Sequence, residues 1–218
     1  MLSKHFTALA AFATGAVLAV NQTGPYHIHI TGKTDKSIDG YAASYHAGAA
    51  IEALVYVSGP ANGTSQEYYY DYQSYNPETG EVFQPGYIVW QLPLSGVNGT
   101  TYVPEALTIE SRGNWASNVA PAMFYPGTDG GAAVRFYDDE GAGAGANHSV
   151  YLTGRDDSGY TDQRPEQGPG PLVDATNWHL CYQYVGGGGY WYQTVSWVFA
   201  LPPSNPTCLP VNLALELI

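Results

Sequence analysis

The feature that most constrains the fold of this chain is an alternation of period two. Tyr26 to Thr31 sets Tyr, Ile and Ile against His, His and Thr, and Ile51 to Val57 puts Ile51, Ala53, Val55 and Val57 on one face. Similar runs span Tyr41 to His46, Tyr87 to Leu94, Leu107 to Ser111, Ala132 to Tyr137, Ser149 to Thr153, Trp178 to Val185, Tyr190 to Leu201 and Val211 to Ile218. They are rich in β-branched and aromatic residues, and clusters of Gly, Pro, Asn and Asp separate them, as strands joined by turns require. No stretch sustains a helical period. The pattern predicts an all-β chain of about ten strands with little helix, an antiparallel β-sandwich or jelly-roll-like arrangement.

The strongest hairpin signal is Gly186 to Gly189, flanked by NWHLCYQYV and YWYQTVSWVFAL. Four glycines supply the positive φ angles of a short reversal, so the two strands are expected to pair directly. The second of them places Trp191, Val195, Trp197, Phe199 and Leu201 on one side, which is the expected core face. A chain of 218 residues forms a single domain by default and is long enough to bury a core without cofactors.

Export is read from the N-terminus. Lys4 and His5 precede the apolar run Phe6 to Ala19, and Val17 and Ala19 supply the small residues of a signal-peptidase site. Residues 1–19 are thus expected to be a signal peptide and 20–218 a single extracellular β-rich domain. The run is short of the roughly 20 residues a bilayer span needs, and no later segment is long or apolar enough, so no membrane span is expected. A net charge of −12 offers no basic stripe for nucleic acid or anionic lipid. In an exported chain the two cysteines, Cys181 and Cys208, are expected to form a disulfide that ties the last strand to the hairpin, and the lack of a CxxC argues against a zinc or redox site. Asn21, Asn62, Asn98 and Asn147 each begin an Asn-x-Ser/Thr sequon, so all four are expected to be glycosylated.

Catalytic constellations are sparse. No G-x-S-x-G elbow occurs. His27-x-His29 has a spacing metals can use but lacks the acidic partner a few residues on, and the simpler reading is two solvent-facing strand histidines. Asp138-Asp139-Glu140 and Asp156-Asp157 sit in glycine-rich stretches where solvated acids are the rule, with weak calcium binding the alternative. No catalytic residue, metal or cofactor is assigned. The remaining outlier is tyrosine, 19 in all, densest in Glu67 to Asn76. If this stretch is extended, Tyr68, Tyr70 and Tyr72 share one face and Tyr69 the other, and one face must meet solvent or a ligand. Tyr68, Tyr69, Tyr70 and Tyr72 are therefore the expected ligand-binding residues, through rings suited to sugars and protein interfaces alike.

Two blocks resemble a family of small secreted proteins of filamentous fungi known as a domain of unknown function. The first is YHIHITGKT followed by GYAASYHAGAAIEALVYV; the second is Trp178 to Cys181, the aromatic strand after it and the Pro-Ser turn to Cys208. The resemblance implies secretion, a β-rich domain and a disulfide, and transfers no activity. The functional expectation is a secreted, non-catalytic extracellular or cell-wall-associated glycoprotein that binds a cell-wall glycan or an extracellular protein. The alternative is a polysaccharide hydrolase with an unrecognised carboxylate pair.

Overall fold

A computed structural model of the chain describes residues 20–60, 63–73, 86–94, 101–110, 116–127, 131–138, 148–156, 158–159, 170–185 and 189–218. The strands are β1 (Val20–Gly32), β2 (Asp39–Gly48), β3 (Ile51–Val57), β4 (Tyr68–Gln73), β5 (Tyr87–Pro93), β6 (Tyr102–Ile109), β7 (Val119–Pro126), β8 (Val134–Asp138), β9 (His148–Arg155), β10 (Leu172–Ala175), β11 (Trp178–Val185), β12 (Tyr190–Val198) and β13 (Leu209–Leu217). Among the described residues the one helical element is the 3-10 turn Thr64–Gln66. The all-β expectation holds.

The sandwich expectation does not: the thirteen strands form one sheet that closes into a β-barrel. Along its main path the order is β10-β9-β13-β11-β12-β3-β2-β1-β4-β5-β6-β7, and the terminal β7 returns to pair with β12 and β3 while β13 pairs with β1. The physical reason lies in strands that change partners along one edge. β1 pairs with β4 over its first half and with β2 at residues 29–31, while β13 runs along its other edge. β12 likewise meets β3 at Thr194 and β7 at residues 196–198. Such exchanges curl a sheet, and closure leaves fewer edges exposed than two stacked open layers would.

Two glycines permit the curl. Gly24 lies at φ 122, within the irregularity between Thr23 and Tyr26 where β1 crosses β4, and a Cβ there would come to 2.9 Å from the Tyr68 carbonyl oxygen. Gly86 exchanges both backbone hydrogen bonds with Val134, at 3.0 and 2.9 Å, bringing β8 onto the start of β5; a Cβ there would fall 2.4 Å from the Asp71 carbonyl oxygen.

The interior is one cluster fed from strands all round the wall, among them Ile28 and Ile30 of β1, Leu54 of β3, Tyr68 of β4, Phe124 of β7, Trp178 and Leu180 of β11, and Leu213 and Leu215 of β13. A smaller cluster, Ala47, Ala53, Val55, Met123 and Val185, packs separately. Thus β3 buries both faces: Leu54 joins the main core and Ala53 and Val55 the second. The β11–β12 hairpin pairs as expected, in unbroken register from Trp178 opposite Trp197 to Val185 opposite Tyr190. Cys181 and Cys208 form the disulfide, so the start of β13 is tied to β11.

The expected core face of β12 needs correction. Val195 and Trp197 are buried, but Trp191, Phe199 and Leu201 are exposed. Phe199 and Leu201 follow the end of β12. Trp191 lies where the hairpin has outrun its neighbours, since β13 pairs with β11 only at His179 and Leu180 and β3 with β12 only at Thr194.

Candidate functional site

The tyrosine-rich segment is a strand whose alternation separates its rings. Tyr68 and Tyr70 point into the core and are buried, so their rings are not on the face that meets solvent. Their hydroxyls explain how so polar a run serves as core. The Tyr68 hydroxyl donates to the Ser65 carbonyl at 3.1 Å and lies 3.2 Å from Ser44 Oγ; that of Tyr70 donates to the Val134 carbonyl at 3.1 Å and accepts from the Gly86 N–H at 2.8 Å. Burial pushes both phenols above their ordinary range. Phe124 stacks on Tyr68 at 5.6 Å. Tyr72 is half-buried and stacks on Tyr70 at 5.6 Å, against the core.

Tyr69 faces the other way. With Thr64, Glu67, Gln91, Pro93, Thr101 and Tyr102 it lines a half-open groove of about 150 Å³. Two rings, a carboxylate, an amide and two hydroxyls is a donor set that suits a small polar ligand with apolar faces.

The larger exposed aromatic surface was missed from the sequence and lies on the β11–β12 hairpin. Tyr182, Tyr184 and Trp191 are 53%, 54% and 58% exposed. Trp191 stacks on Tyr182 with ring centroids 5.7 Å apart and planes 19° off parallel, and Tyr184 meets it edge-on at 5.5 Å. By strand alternation these rings share the face of Leu180 and Val195, but they stand towards the hairpin tip, past the last lateral pairing. The opposite face carries a second group: Tyr190 and Tyr192 stack at 5.8 Å, Tyr45 meets Tyr192 edge-on, and the Tyr192 hydroxyl donates to the His46 carbonyl at 2.9 Å. Gln183 Nε2 donates to Thr194 Oγ1 and Ser196 Oγ, both at 2.6 Å, bracing the two strands beneath the rings. Neither strand contains Asp, Glu, Lys or Arg, so the platform is neutral. The signal in the sequence was there: YQY and YWY set against a four-glycine turn put Tyr182, Tyr184 and Trp191 on one face near a hairpin tip.

One pair of carboxyl groups also went unread. Glu52 of β3 and Glu105 of β6 are 5% and 0% exposed and close enough for each carboxyl to act on the other, with both Glu105 oxygens buried. They are sealed inside the barrel wall, out of reach of a substrate. Of the acids in the glycine-rich stretches, Asp138 ends β8 and Asp156 is held low by hydrogen bonds from the Ser158 side chain and N–H; Asp139, Glu140 and Asp157 lie outside the described residues.

The strand histidines face outward and pack on one ring, with His27 and His29 at 5.5 and 5.1 Å from Tyr41, and His29 Nε2 is 2.6 Å from Asp39 Oδ1. Among the described residues no group of three or more His, Cys, Asp or Glu is placed to hold a metal, and no helix is long and apolar enough to cross a membrane. Asn21 lies in β1 opposite Tyr72. Asn62, Asn98, Asn147 and residues 1–19 lie outside the described residues. No family model, curated protein or solved structure matches this chain.

Proposed function

We propose that this chain is a secreted, non-catalytic binding protein of the extracellular space or cell wall, and that its ligand is a neutral polysaccharide laid across Tyr182, Trp191 and Tyr184. The observation that carries this reading is the exposure of three contacting rings at the tip of a braced hairpin. A large aromatic left in water forfeits burial worth roughly 1.5 to 3 kcal/mol, so three together mark a surface that a ligand covers. Sugar rings present apolar C–H faces that stack on Tyr and Trp, whose few torsions make ordering them inexpensive. The lack of charge on β11 and β12 favours a neutral glycan over a charged one. The Tyr69 groove, with its amide, carboxylate and hydroxyls, offers a second contact for the same class of ligand. The resemblance to secreted fungal proteins and the leader-like N-terminus are in keeping with an exported role.

The test is a screen of the folded, disulfide-bonded chain against insoluble cell-wall polysaccharides, with soluble reducing sugar followed in the same tubes. Retention on at least one neutral polysaccharide without release of sugar is the expected result. Release of reducing sugar would revive hydrolysis, and failure to bind any polysaccharide would refute the proposal.

A further inference from the structure

We infer that the Glu52–Glu105 carboxyl pair is a proton-holding joint in the barrel wall, so that the fold is tightest in acid and loosens as the solution turns alkaline. The geometry begins with alternation. Glu52 shares the face of Leu54, and Glu105 that of Leu107, both core residues. Glu52 is registered opposite Phe124 of β7, and Phe124 in turn opposite Leu107 of β6, so the two carboxyl groups approach each other over β7 on the inner side of the wall. Glu52 Oε2 and both oxygens of Glu105 are cut off from solvent and meet no hydrogen-bond donor. Two ionised carboxylates so placed would repel each other in a medium too poor in water to screen them.

Among the described residues the basic side chain of the neighbouring β8, Arg135, pairs instead with Asp174 at 3.8 Å. β2 to β7 and β12, the strands that frame the pair, contain no Lys or Arg. His46 lies opposite Glu52 in the β2–β3 ladder, but its ring is exposed and meets Tyr190 edge-on. From β4, Tyr68 contributes a neutral phenol held by Ser44 and the Ser65 carbonyl, while Asp71 turns outward to Gln22. From β7, Tyr125 donates its hydroxyl to Glu110, just past the end of β6. Opposite Glu105 on β5 stands uncharged Trp90. With no Lys or Arg on these strands and no donor to the buried oxygens, the stable arrangement keeps the proton on Glu105, which donates it to Glu52.

Burial first, then the hydrogen bond to Glu52 and its charge, raise the Glu105 pKa from 4.5 to about 9. The sign follows. The unfolded chain releases this proton near pH 4.5 and the native chain near 9, so the native state binds more protons between those limits. Stability contributed by the pair is full below the lower value, declines as pH rises through the window and is lost above the upper one.

The test is urea unfolding of the wild type and Glu105→Gln from pH 5 to pH 9, with a parallel carbon-13 NMR titration of the wild-type Glu carboxyls. Gln keeps the shape and offers its own donor to Glu52 but cannot ionise. The wild-type unfolding constant should rise by up to about tenfold per pH unit more than that of Glu105→Gln. One Glu carboxyl should titrate above pH 7. Parallel pH dependences would overturn the inference. If Glu105→Gln does not fold, the NMR titration decides alone: an alkaline Glu carboxyl upholds the joint, and titration of every Glu below pH 6 overturns it.

Discussion

Tyr69 and Tyr70 are adjacent in the chain, yet one lines a groove and the other props the core. Alternation was readable from the sequence; which face looked inward was not. A run holding Glu67, Asp71 and five tyrosines can serve as an interior strand only where the fold supplies partners for its hydroxyls. Ser44, the Ser65 carbonyl, the Val134 carbonyl and the Gly86 N–H satisfy them, and all but Ser65 come from other parts of the chain that only the fold brings near. The contrast is measurable by thermal or urea unfolding. Tyr68→Ala empties a fully buried site beneath Phe124 and should cost about 3 to 5 kcal/mol. Trp191→Ala removes a ring that is mostly in water and should shift stability by less than about 1 kcal/mol. Comparable losses in the two variants would contradict the placement of Trp191 outside the core.

The β11–β12 hairpin was the most legible element, because aromatic alternation on both sides of four glycines leaves one sensible pairing. β7 was the least. Its sequence VAPAMFYP carries two prolines, which demote a strand when read locally. Within the barrel, Pro121 sits opposite Ser196 and its carbonyl still accepts from the Glu110 N–H, so the residue serves despite lacking a donor. β6 was caught only from Leu107 onward for the same reason, as Pro104 precedes it. The disulfide belongs to this scale too, since it clamps the segment before β13 to β11 at a sequence separation of 27. On the chain-entropy account, a loop of this size contributes about 3 to 4 kcal/mol. Urea midpoints of the oxidised protein and of Cys181→Ala/Cys208→Ala should differ accordingly, with little change in slope. Equal midpoints would mean that the β11–β13 pairing holds without the bridge.

At the scale of the whole molecule, the strand content was readable and the closure was not. Period-two patterning tells which residues face in, but a sandwich and a barrel share that pattern; the difference lies in β1 and β12 changing partners midway, which depends on long-range register. The Glu52–Glu105 pair was hidden likewise, its members 53 positions apart in otherwise apolar strands. Closure also explains where function can sit. Among the described residues the barrel interior is filled by core side chains from strands all round the wall, and the β11–β12 tip, which outruns that wall, presents the exposed cluster of Tyr182, Tyr184 and Trp191. Depletion of the folded protein from solution by the neutral polysaccharide that retains it, for wild type beside Tyr182→Ala/Trp191→Ala, tests this most directly. Each stacked ring contributes on the order of 1 kcal/mol, so the variant should bind about tenfold or more weakly while melting close to the wild type. A variant that binds as tightly as the wild type would show that the hairpin platform is not the binding surface.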